Sequence, residues 1–324
     1  MLSTLPSIVL LVFVAAGEAA EVGPAEGAVA AEIEHRGDTV TIDEQSPDKP
    51  VIGVDMHRTP WVGEQDQVTD LALEPIRKLP RLQTLDLSGT KVTDAGLEHL
   101  RALTKLQRLS LGHTQVTDAG IAQIKGLTNL QSLSLAKTPV TDAGLEHLQK
   151  LKKLRGLYLS GTRVTDAGLQ YLKALINLRV LDLDGTKVTD AGLKHLGGLM
   201  ELQSLDLSNT EVTDAGLKHL NGLTELRSLD LANTAVMGPG LESLEHVTDL
   251  VLWATKVTDI ELKSLKGLSN LQSLTLSRTE ITDAGLEHLA RLPKLRRLFL
   301  TDTKVTARGV EKLQKTLPKC WIQR

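Results

Sequence analysis

The chain has 324 residues, of which 41% are hydrophobic and only 2% are aromatic, so a core of aliphatic side chains is expected. The formal net charge of −3 at pH 7 excludes the strongly basic footprint of a nucleic-acid-binding protein. Cys320 is the single cysteine, which excludes intrachain disulfides and thiol-rich metal sites.

Residues 1–20 differ in composition from the rest of the chain. Residues 8–16 form an apolar run, and Gly-Glu-Ala-Ala, which is mostly small residues, follows it at 17–20. Such a run is too short to span a bilayer but suits the core of a signal peptide. No Lys or Arg precedes it, so a retained anchor stays open as the alternative. We predict a signal peptide at 1–20 and an exported protein, which is periplasmic, on the cell surface or secreted. The protein would be cytoplasmic if this run is not a signal.

Residues 21–59 are predicted to form an N-terminal cap and a degenerate first repeat. The stretch 25–35 is helix-forming and is followed by Gly37, and residues 39–42 alternate like a strand. Residues 60–81 are predicted to contain an insertion loop and the end of that first repeat. Trp61 lies in the loop, where it either packs against the cap or binds a partner.

A 24-residue unit recurs through residues 82–319. With Leu82 as position 1, leucines occupy positions 1, 4, 6, 16, 19 and 22, threonine occupies position 9, and Val-Thr-Asp-Ala-Gly occupies positions 11–15. Positions 4 and 6 alternate with polar residues, which predicts a strand. The later leucines recur every three residues behind a Thr-Asp pair, which predicts a short helix with an N-cap. One such unit cannot bury its own apolar face, so the units must stack into a solenoid.

The pattern Leu-x-x-Leu-x-Leu-x-x-Thr followed by Val-Thr-Asp-Ala-Gly-Leu-x-x-Leu resembles leucine-rich repeat proteins, with Thr in place of Asn or Cys at position 9. It is similar to repeats of exported bacterial proteins and, more loosely, to the repeat domain of F-box-type receptors. The resemblance covers about residues 51–319. It implies a right-handed α/β solenoid with parallel strands on the concave face and short helices on the convex face. It also implies protein binding on the concave face.

The repeat that begins at Leu226 departs from the pattern. Residues 237–240 replace Thr-Asp-Ala-Gly with Met-Gly-Pro-Gly, and only 21 residues separate Leu226 from Val247, where the pattern restarts. Gly and Pro disfavour an ordinary helix start, so a local bend or a site is expected here. After the last regular repeat, residues 320–324 are predicted to add a closing strand.

Positions 3, 5, 7 and 8 are predicted to form the concave surface, since positions 4 and 6 point inward. Parallel strands lie about 4.8 Å apart, so position-5 aspartates of successive repeats should stack in a row. This predicts an acidic strip that binds a basic protein or peptide, made of Asp182, Asp184, Asp206, Asp230 and Asp249. Two alternatives are that Arg179 and Arg227 neutralise it, or that it is a solvated face. A calcium site is disfavoured because no loop has a recognised ligand spacing.

Aromatic and basic side chains extend the predicted surface. Tyr158, Trp253 and Phe299 fall on concave positions that the core does not need, and exposed aromatics are effective binding anchors. Arg278 and Arg297 lie beside them in sequence register. The alternative for Trp253 is that it fills the gap left by the short repeat.

The predicted function is non-catalytic protein–protein interaction, with no cofactor and no metal. The chain contains no nucleophile elbow, P-loop, dinucleotide fingerprint or HExxH motif. Two other functions remain open: an F-box-type cytoplasmic adaptor, and a glycan or cell-wall binding protein. We expect no membrane span and a monomer. Association between the acidic segment 21–74 and the basic segment 291–324 of two copies is the alternative to a monomer.

Overall fold

The structure is a computed structural model that describes residues 24–58 and 67–324. The predicted signal peptide and Trp61 lie outside the described residues. Thirteen strands of the described chain form one sheet, and they follow one another in the sheet in sequence order. Their bounds are β1 Thr39–Ile42, β2 Val51–Asp55, β3 Thr84–Asp86, β4 Arg108–Ser110, β5 Ser132–Ser134, β6 Gly156–Tyr158, β7 Val180–Asp182, β8 Ser204–Asp206, β9 Ser228–Asp230, β10 Asp249–Val251, β11 Ser273–Thr275, β12 Arg297–Phe299 and β13 Trp321–Gln323.

The sheet is parallel from β2 onward, and only β1 pairs with its neighbour in the antiparallel sense. The register places equivalent repeat positions side by side, as in Leu157, Leu181 and Leu205 on β6 to β8. These three leucines are no more than 1% exposed. The 24-residue period therefore builds continuous columns of leucine, which form one core along the whole solenoid.

Short helices return the chain to the next strand. The α-helices are α1 Pro24–His35, α2 Asp118–Ile124, α3 Asp142–Leu148, α4 Asp166–Leu172, α5 Asp190–Leu193, α6 Asp214–Leu217, α7 Asp283–Leu289 and α8 Ala307–Thr316. A 3-10 helix at Lys218–Leu220 continues α6, and other repeats have 3-10 helices in place of an α-helix, at Asp70–Leu73, Pro75–Lys78, Gly96–Leu100, Pro239–Ser243 and Glu261–Gly267. The predicted α/β solenoid is confirmed, with two helical turns in some repeats and a shorter or tighter helix in others.

The position-9 threonines of the described repeats have a structural role. Each hydroxyl donates a hydrogen bond of 2.5–2.8 Å to the carbonyl oxygen three residues earlier, so it satisfies the backbone where the chain leaves the strand. Nine of them are buried: Thr90, Thr114, Thr138, Thr162, Thr186, Thr210, Thr234, Thr255 and Thr279. The bond is within the repeat, and another residue links neighbouring repeats.

That link is the aspartate at position 13. The Asp142 carboxylate accepts hydrogen bonds from the Thr165 backbone N–H at 2.8 Å and from the Thr165 hydroxyl at 2.7 Å, one repeat further on. The Thr165 hydroxyl in turn accepts from the N–H of Ala167 and so caps α4. The same link joins Asp70 to Thr93, Asp94 to Thr117, Asp118 to Thr141, Asp166 to Thr189, Asp190 to Thr213, Asp259 to Thr282 and Asp283 to Thr306.

The short repeat interrupts this ladder, and two carboxylates compensate. Asp214 meets no threonine in the next repeat and instead accepts from the backbone N–H groups of Met237, Gly238 and Gly240 at 2.8–2.9 Å. Gly238 stands where an aspartate would serve the following repeat. Glu261 replaces it by accepting from the N–H of Thr258 at 3.0 Å and from the Thr258 hydroxyl. The break is therefore hydrogen-bonded on both sides.

Glu261→Ala is expected to lower the free energy of unfolding by about 1 kcal/mol, because Thr258 loses its carboxylate partner in a capping-box arrangement. Urea unfolding followed by far-UV circular dichroism measures the change. Glu242→Ala is the matched control, since Glu242 is an exposed acidic residue of the neighbouring repeat. Equal effects of the two substitutions would contradict the role given to Glu261.

Elements at both ends cover the core. Val29, Ala30 and Ile33 of α1 are buried in the same apolar cluster as the leucines of the repeats. At the other end, β13 pairs with β12 in the parallel sense. Cys320 precedes β13 and is 3% exposed.

Candidate functional site

Four position-5 side chains stand side by side on the concave face. The register pairs Tyr158 with Asp182, Asp182 with Asp206, and Asp206 with Asp230, on strands β6 to β9. Asp184 follows Asp182 at position 7 of the same repeat. We call Asp182, Asp184, Asp206 and Asp230 the acidic row. Asp182, Asp206 and Asp230 are therefore neighbours on adjacent strands.

Neutral hydrogen-bond donors hold the acidic row. Backbone N–H groups two residues further on donate to Asp182 at 3.0 Å and to Asp206 and Asp230 at 2.8 Å. The Ser208 hydroxyl donates to Asp206 at 2.6 Å and lies 3.0 Å from Asp184. Two asparagines continue the network, because Asn209 donates to Asp184 at 2.6 Å and accepts from Asn233 at 2.8 Å. The sequence prediction missed these asparagines, although they recur at position 8.

Burial and the neighbouring carboxylates raise the pKa values of Asp182, Asp206 and Asp230. Burial is the main cause at Asp230, and the nearby carboxylate of Asp206 adds to it, so that the pKa of Asp230 rises to about 7. The pKa of Asp182 rises to about 6, again mainly through burial, against the opposing effect of its backbone hydrogen bond. Burial also raises the pKa of Asp206 and that of the Tyr158 phenol. The row therefore gains charge between pH 5 and 8.

The arginines suggested as neutralising partners point elsewhere. Arg179 pairs with Glu201 at 3.5 Å, and Arg227 pairs with Glu225 at 3.3 Å. Both arginines occupy position 2, where nearer glutamates lie within reach. The alternative that Arg179 and Arg227 neutralise the acidic row is therefore wrong, because both form ion pairs with glutamates.

Asp249 belongs to a separate ion pair. Its carboxylate lies 3.0 Å from Arg297, two strands away, and also accepts from the Thr248 hydroxyl at 2.7 Å. The sequence placed Asp249 beside the row because it occupies position 3 of the next full strand. The structure gives it a cation of its own, so the row proper has four members.

A second group lies beyond the short repeat. The Arg278 guanidinium carbon lies 5.1 Å from the centroid of the half-buried Trp253 ring, within cation–π range. Arg278 Nε also lies 3.3 Å from Asp302. The predicted neighbours Trp253 and Arg278 are thus in direct contact.

Phe299 contacts an aromatic side chain that the site prediction left out. Its ring meets that of Trp321 edge to face, with centroids 5.4 Å apart and an interplanar angle of 71°. Trp321 is 55% exposed. The sequence assigned it only to the closing strand. The signal that could have found it is its register, because Trp321 pairs with Arg297 on β12.

No group of three or more His, Cys, Asp or Glu side chains in residues 24–58 and 67–324 is arranged to hold a metal ion. In the same described ranges, no helix has the length and apolar character needed to cross a membrane.

The comparisons with known proteins agree with the repeat geometry. Residues 176–236 and 245–305 match a family described as Leucine rich repeat, and residues 78–100, 102–124 and 126–148 match a second one of the same description. This chain is a leucine-rich repeat protein. No curated protein matches the leucine-rich repeat chain in sequence.

Solved structures of other leucine-rich repeat proteins share its fold. The alignment with an internalin of Listeria monocytogenes spans 92% of this chain and 93% of the internalin chain, at 20% identity and a TM-score of 0.51. A leucine-rich repeat protein of Leptospira interrogans covers 78% of this chain and 68% of its own, at 22% identity and a TM-score of 0.57. The mouse RP105/MD-1 complex matches 74% of this chain over 42% of the compared chain, at 21% identity and a TM-score of 0.60.

Proposed function

We propose that this leucine-rich repeat protein is a non-catalytic binding module that holds a basic segment of a partner protein on its concave face. The observation that carries the proposal is the acidic row. Three of its carboxylates lie on neighbouring strands, the fourth follows the first of these strands, and the nearby arginines pair with other residues. A family of interaction modules and the match to a structure titled as a complex support the same function.

A cation bound against the acidic row would reduce the repulsion between its carboxylates. Like charges on neighbouring strands repel, and the raised pKa values of Asp182 and Asp230 express that cost together with burial. A Lys or Arg side chain placed against the row would favour the ionised carboxylates. Tyr158 stands at one end of the row and adds an aromatic contact to the same surface.

Arrays of short random peptides test the proposal. The wild-type chain is expected to select peptides rich in Lys and Arg. Asp206→Asn/Asp230→Asn is expected to weaken their binding about tenfold or more, because each lost charge-assisted contact is worth about 1.5–3 kcal/mol and about 1.4 kcal/mol is tenfold. Asparagine keeps the shape of aspartate and can accept the same backbone hydrogen bonds. Unchanged folding by circular dichroism separates loss of binding from loss of structure.

The matched control changes the net charge equally on the convex side. Glu98 and Glu146 are exposed at the same position of two helical segments, so Glu98→Gln/Glu146→Gln is expected to leave peptide binding unchanged. If both double variants weaken binding alike, only overall charge matters and the acidic row is not the site.

Binding of a basic peptide is expected to strengthen as the pH rises from 5 to 8. The cationic group pairs with ionised carboxylates, and the raised pKa values place their ionisation inside this range, near 6 for Asp182 and near 7 for Asp230. Titration calorimetry at several pH values measures the trend and the proton release that accompanies it. Affinity that falls over this range would contradict the pairing.

We also propose that the protein is exported and monomeric. The apolar run at 8–16 supports export, and mass spectrometry of the mature chain is expected to show cleavage after Ala19 or Ala20. Sedimentation at low and high salt is expected to show a monomer. A salt-sensitive larger species would favour association through the oppositely charged ends.

A further inference from the structure

Arg278 is held in place by two neighbours while much of it faces solvent. Its guanidinium lies against Trp253, and its Nε lies 3.3 Å from Asp302. Among the described residues, its two terminal nitrogens have no hydrogen-bond partner, and the side chain is 59% exposed. Those two nitrogens form the fork that binds a carboxylate through two parallel hydrogen bonds. An arginine already stacked on an aromatic ring loses little freedom when it binds.

The backbone at Arg278 has the left-handed conformation that position 8 adopts in every repeat from residue 82 onward. Its φ is 57°, and the other repeats place Gly, Asn, His, Lys, Ala or Asp there. Gly and Asn tolerate this conformation best. A long basic side chain is compatible with the fold at this position, as at Lys137, and Asn is a suitable replacement for it.

The concave face changes its electrostatic character over a short distance. Asp230 on β9, Val251 on β10 and Thr275 on β11 are register neighbours, and Arg278 follows Thr275 by three residues. Two strand spacings, about 10 Å measured across the sheet, thus separate Asp230 from β11, the strand that ends three residues before Arg278. Trp253 lies in the repeat between them.

We propose that Arg278, stacked on Trp253, binds a carboxylate of the same partner segment whose basic side chain meets the acidic row. This inference rests on the proposed function and specifies the partner's chemistry. An extended peptide advances about 3.3 Å per residue, so a span of about 10 Å is about three residues. The segment carries a Lys or Arg and, about three residues away, either an acidic side chain or a free C-terminal carboxylate.

Asp302 does not prevent this binding. Both it and Arg278 are exposed, and exposed ion pairs are worth little because water and salt screen them. Asp302 also lies near Nε and leaves the terminal nitrogens available to a second carboxylate. Its effect is to orient the guanidinium rather than to occupy it.

The peptide arrays test this inference with three proteins: wild type, Arg278→Asn and Lys137→Asn. Asn fits the left-handed backbone, so Arg278→Asn is expected to fold as well as wild type. Lys137 shares that conformation at φ 54° and sits at the same repeat position, so Lys137→Asn removes one charge elsewhere as a matched control. Each array is printed with free and with amidated C-termini to separate a terminal carboxylate from an acidic side chain.

The wild-type chain and Lys137→Asn are expected to favour basic peptides that also carry a carboxylate about three residues away, by about tenfold over the same peptides with that group neutralised. Arg278→Asn is expected to lose this preference and keep the preference for basic residues. If Arg278→Asn keeps the carboxylate preference, the inference is wrong while the proposed function stands. If the wild type selects no basic peptides at all, both are wrong.

Discussion

Gly168→Ala is expected to destabilise the solenoid by about 2 kcal/mol, although alanine favours helices more than glycine does. A Cβ at Gly168 would lie 2.4 Å from Oδ1 of Asp142 and 3.0 Å from Cδ1 of Leu145. Overpacking of this kind typically costs about 1–3 kcal/mol, and the clash is with the carboxylate that holds Thr165. Helix propensity returns only about 1 kcal/mol. The glycine at position 15 is therefore needed so that the aspartate of the preceding repeat can approach.

A double-mutant cycle with Asp142 tests that cause. Asp142→Ala alone leaves the Thr165 N–H and hydroxyl without their acceptor, at a cost of about 1–3 kcal/mol. The same change removes the atom that a Cβ at position 168 would meet. Asp142→Ala/Gly168→Ala is therefore expected to be less destabilised than the sum of the single variants, by about 1 kcal/mol.

Urea unfolding at constant pH measures all three variants, with an unchanged m-value as the check that the unfolding reaction is the same. Gly126→Ala is the control, because no atom lies within 4 Å of a Cβ built there and its φ is ordinary. It is expected to change stability by less than about 0.5 kcal/mol. Additive effects of Asp142→Ala and Gly168→Ala would show that the two residues do not interact.

The sequence predicted the columns of the fold because period and register are linked. A 24-residue unit places Leu157, Leu181 and Leu205 at one level of a parallel sheet, whatever the details of the loops. The same reasoning predicted that Asp182, Asp206 and Asp230 are neighbours. A constant repeat length combined with in-register parallel pairing is enough to predict such columns, and the structure contains them.

Contacts between repeats were harder to predict than the columns. The Thr-Asp pair was interpreted as a helix cap, which is correct for Thr165, but Asp142 reaches the following repeat instead. Glu261 takes over the role of a missing aspartate only because the backbone brings it to Thr258. Such partners depend on the three-dimensional positions of the polar side-chain atoms, and the residue spacing within one repeat does not determine these positions.

Long side chains account for the remaining differences at the candidate site. Arg179 and Arg227 were placed near the acidic row by sequence position, yet each pairs with a glutamate instead. Arg297 reaches two strands across to Asp249. Flexible arginines choose among several carboxylates at similar cost, so their partners are poorly determined by sequence.

Asp230→Asn is expected to stabilise the protein by about 1–2 kcal/mol at pH 8 and by a smaller amount at pH 5. The pKa of Asp230 is raised in the folded protein to about 7, above the value of about 3.9 in an unfolded chain. Its favourable contribution is therefore complete below the unfolded pKa and is lost as the pH rises through the folded pKa. The full shift corresponds to about 4 kcal/mol, and sharing of protons with Asp182 and Asp206 reduces the effect of a single substitution.

Because their pKa values are raised in the folded protein, these three carboxyls make the wild-type protein less stable at pH 8 than at pH 5. Asp230→Asn is expected to reduce this difference in the free energy of unfolding. Urea unfolding at both pH values measures it. Asp86→Asn is the matched control, since Asp86 holds position 5 of its own repeat, four strands from the row, and accepts hydrogen bonds from Ser88 as Asp206 does from Ser208. A gain at pH 8 confined to Asp230→Asn means that the acidic row is held in the fold at a cost in stability. Such a cost is expected where a surface has been kept for binding a cation, because packing alone would favour a neutral residue.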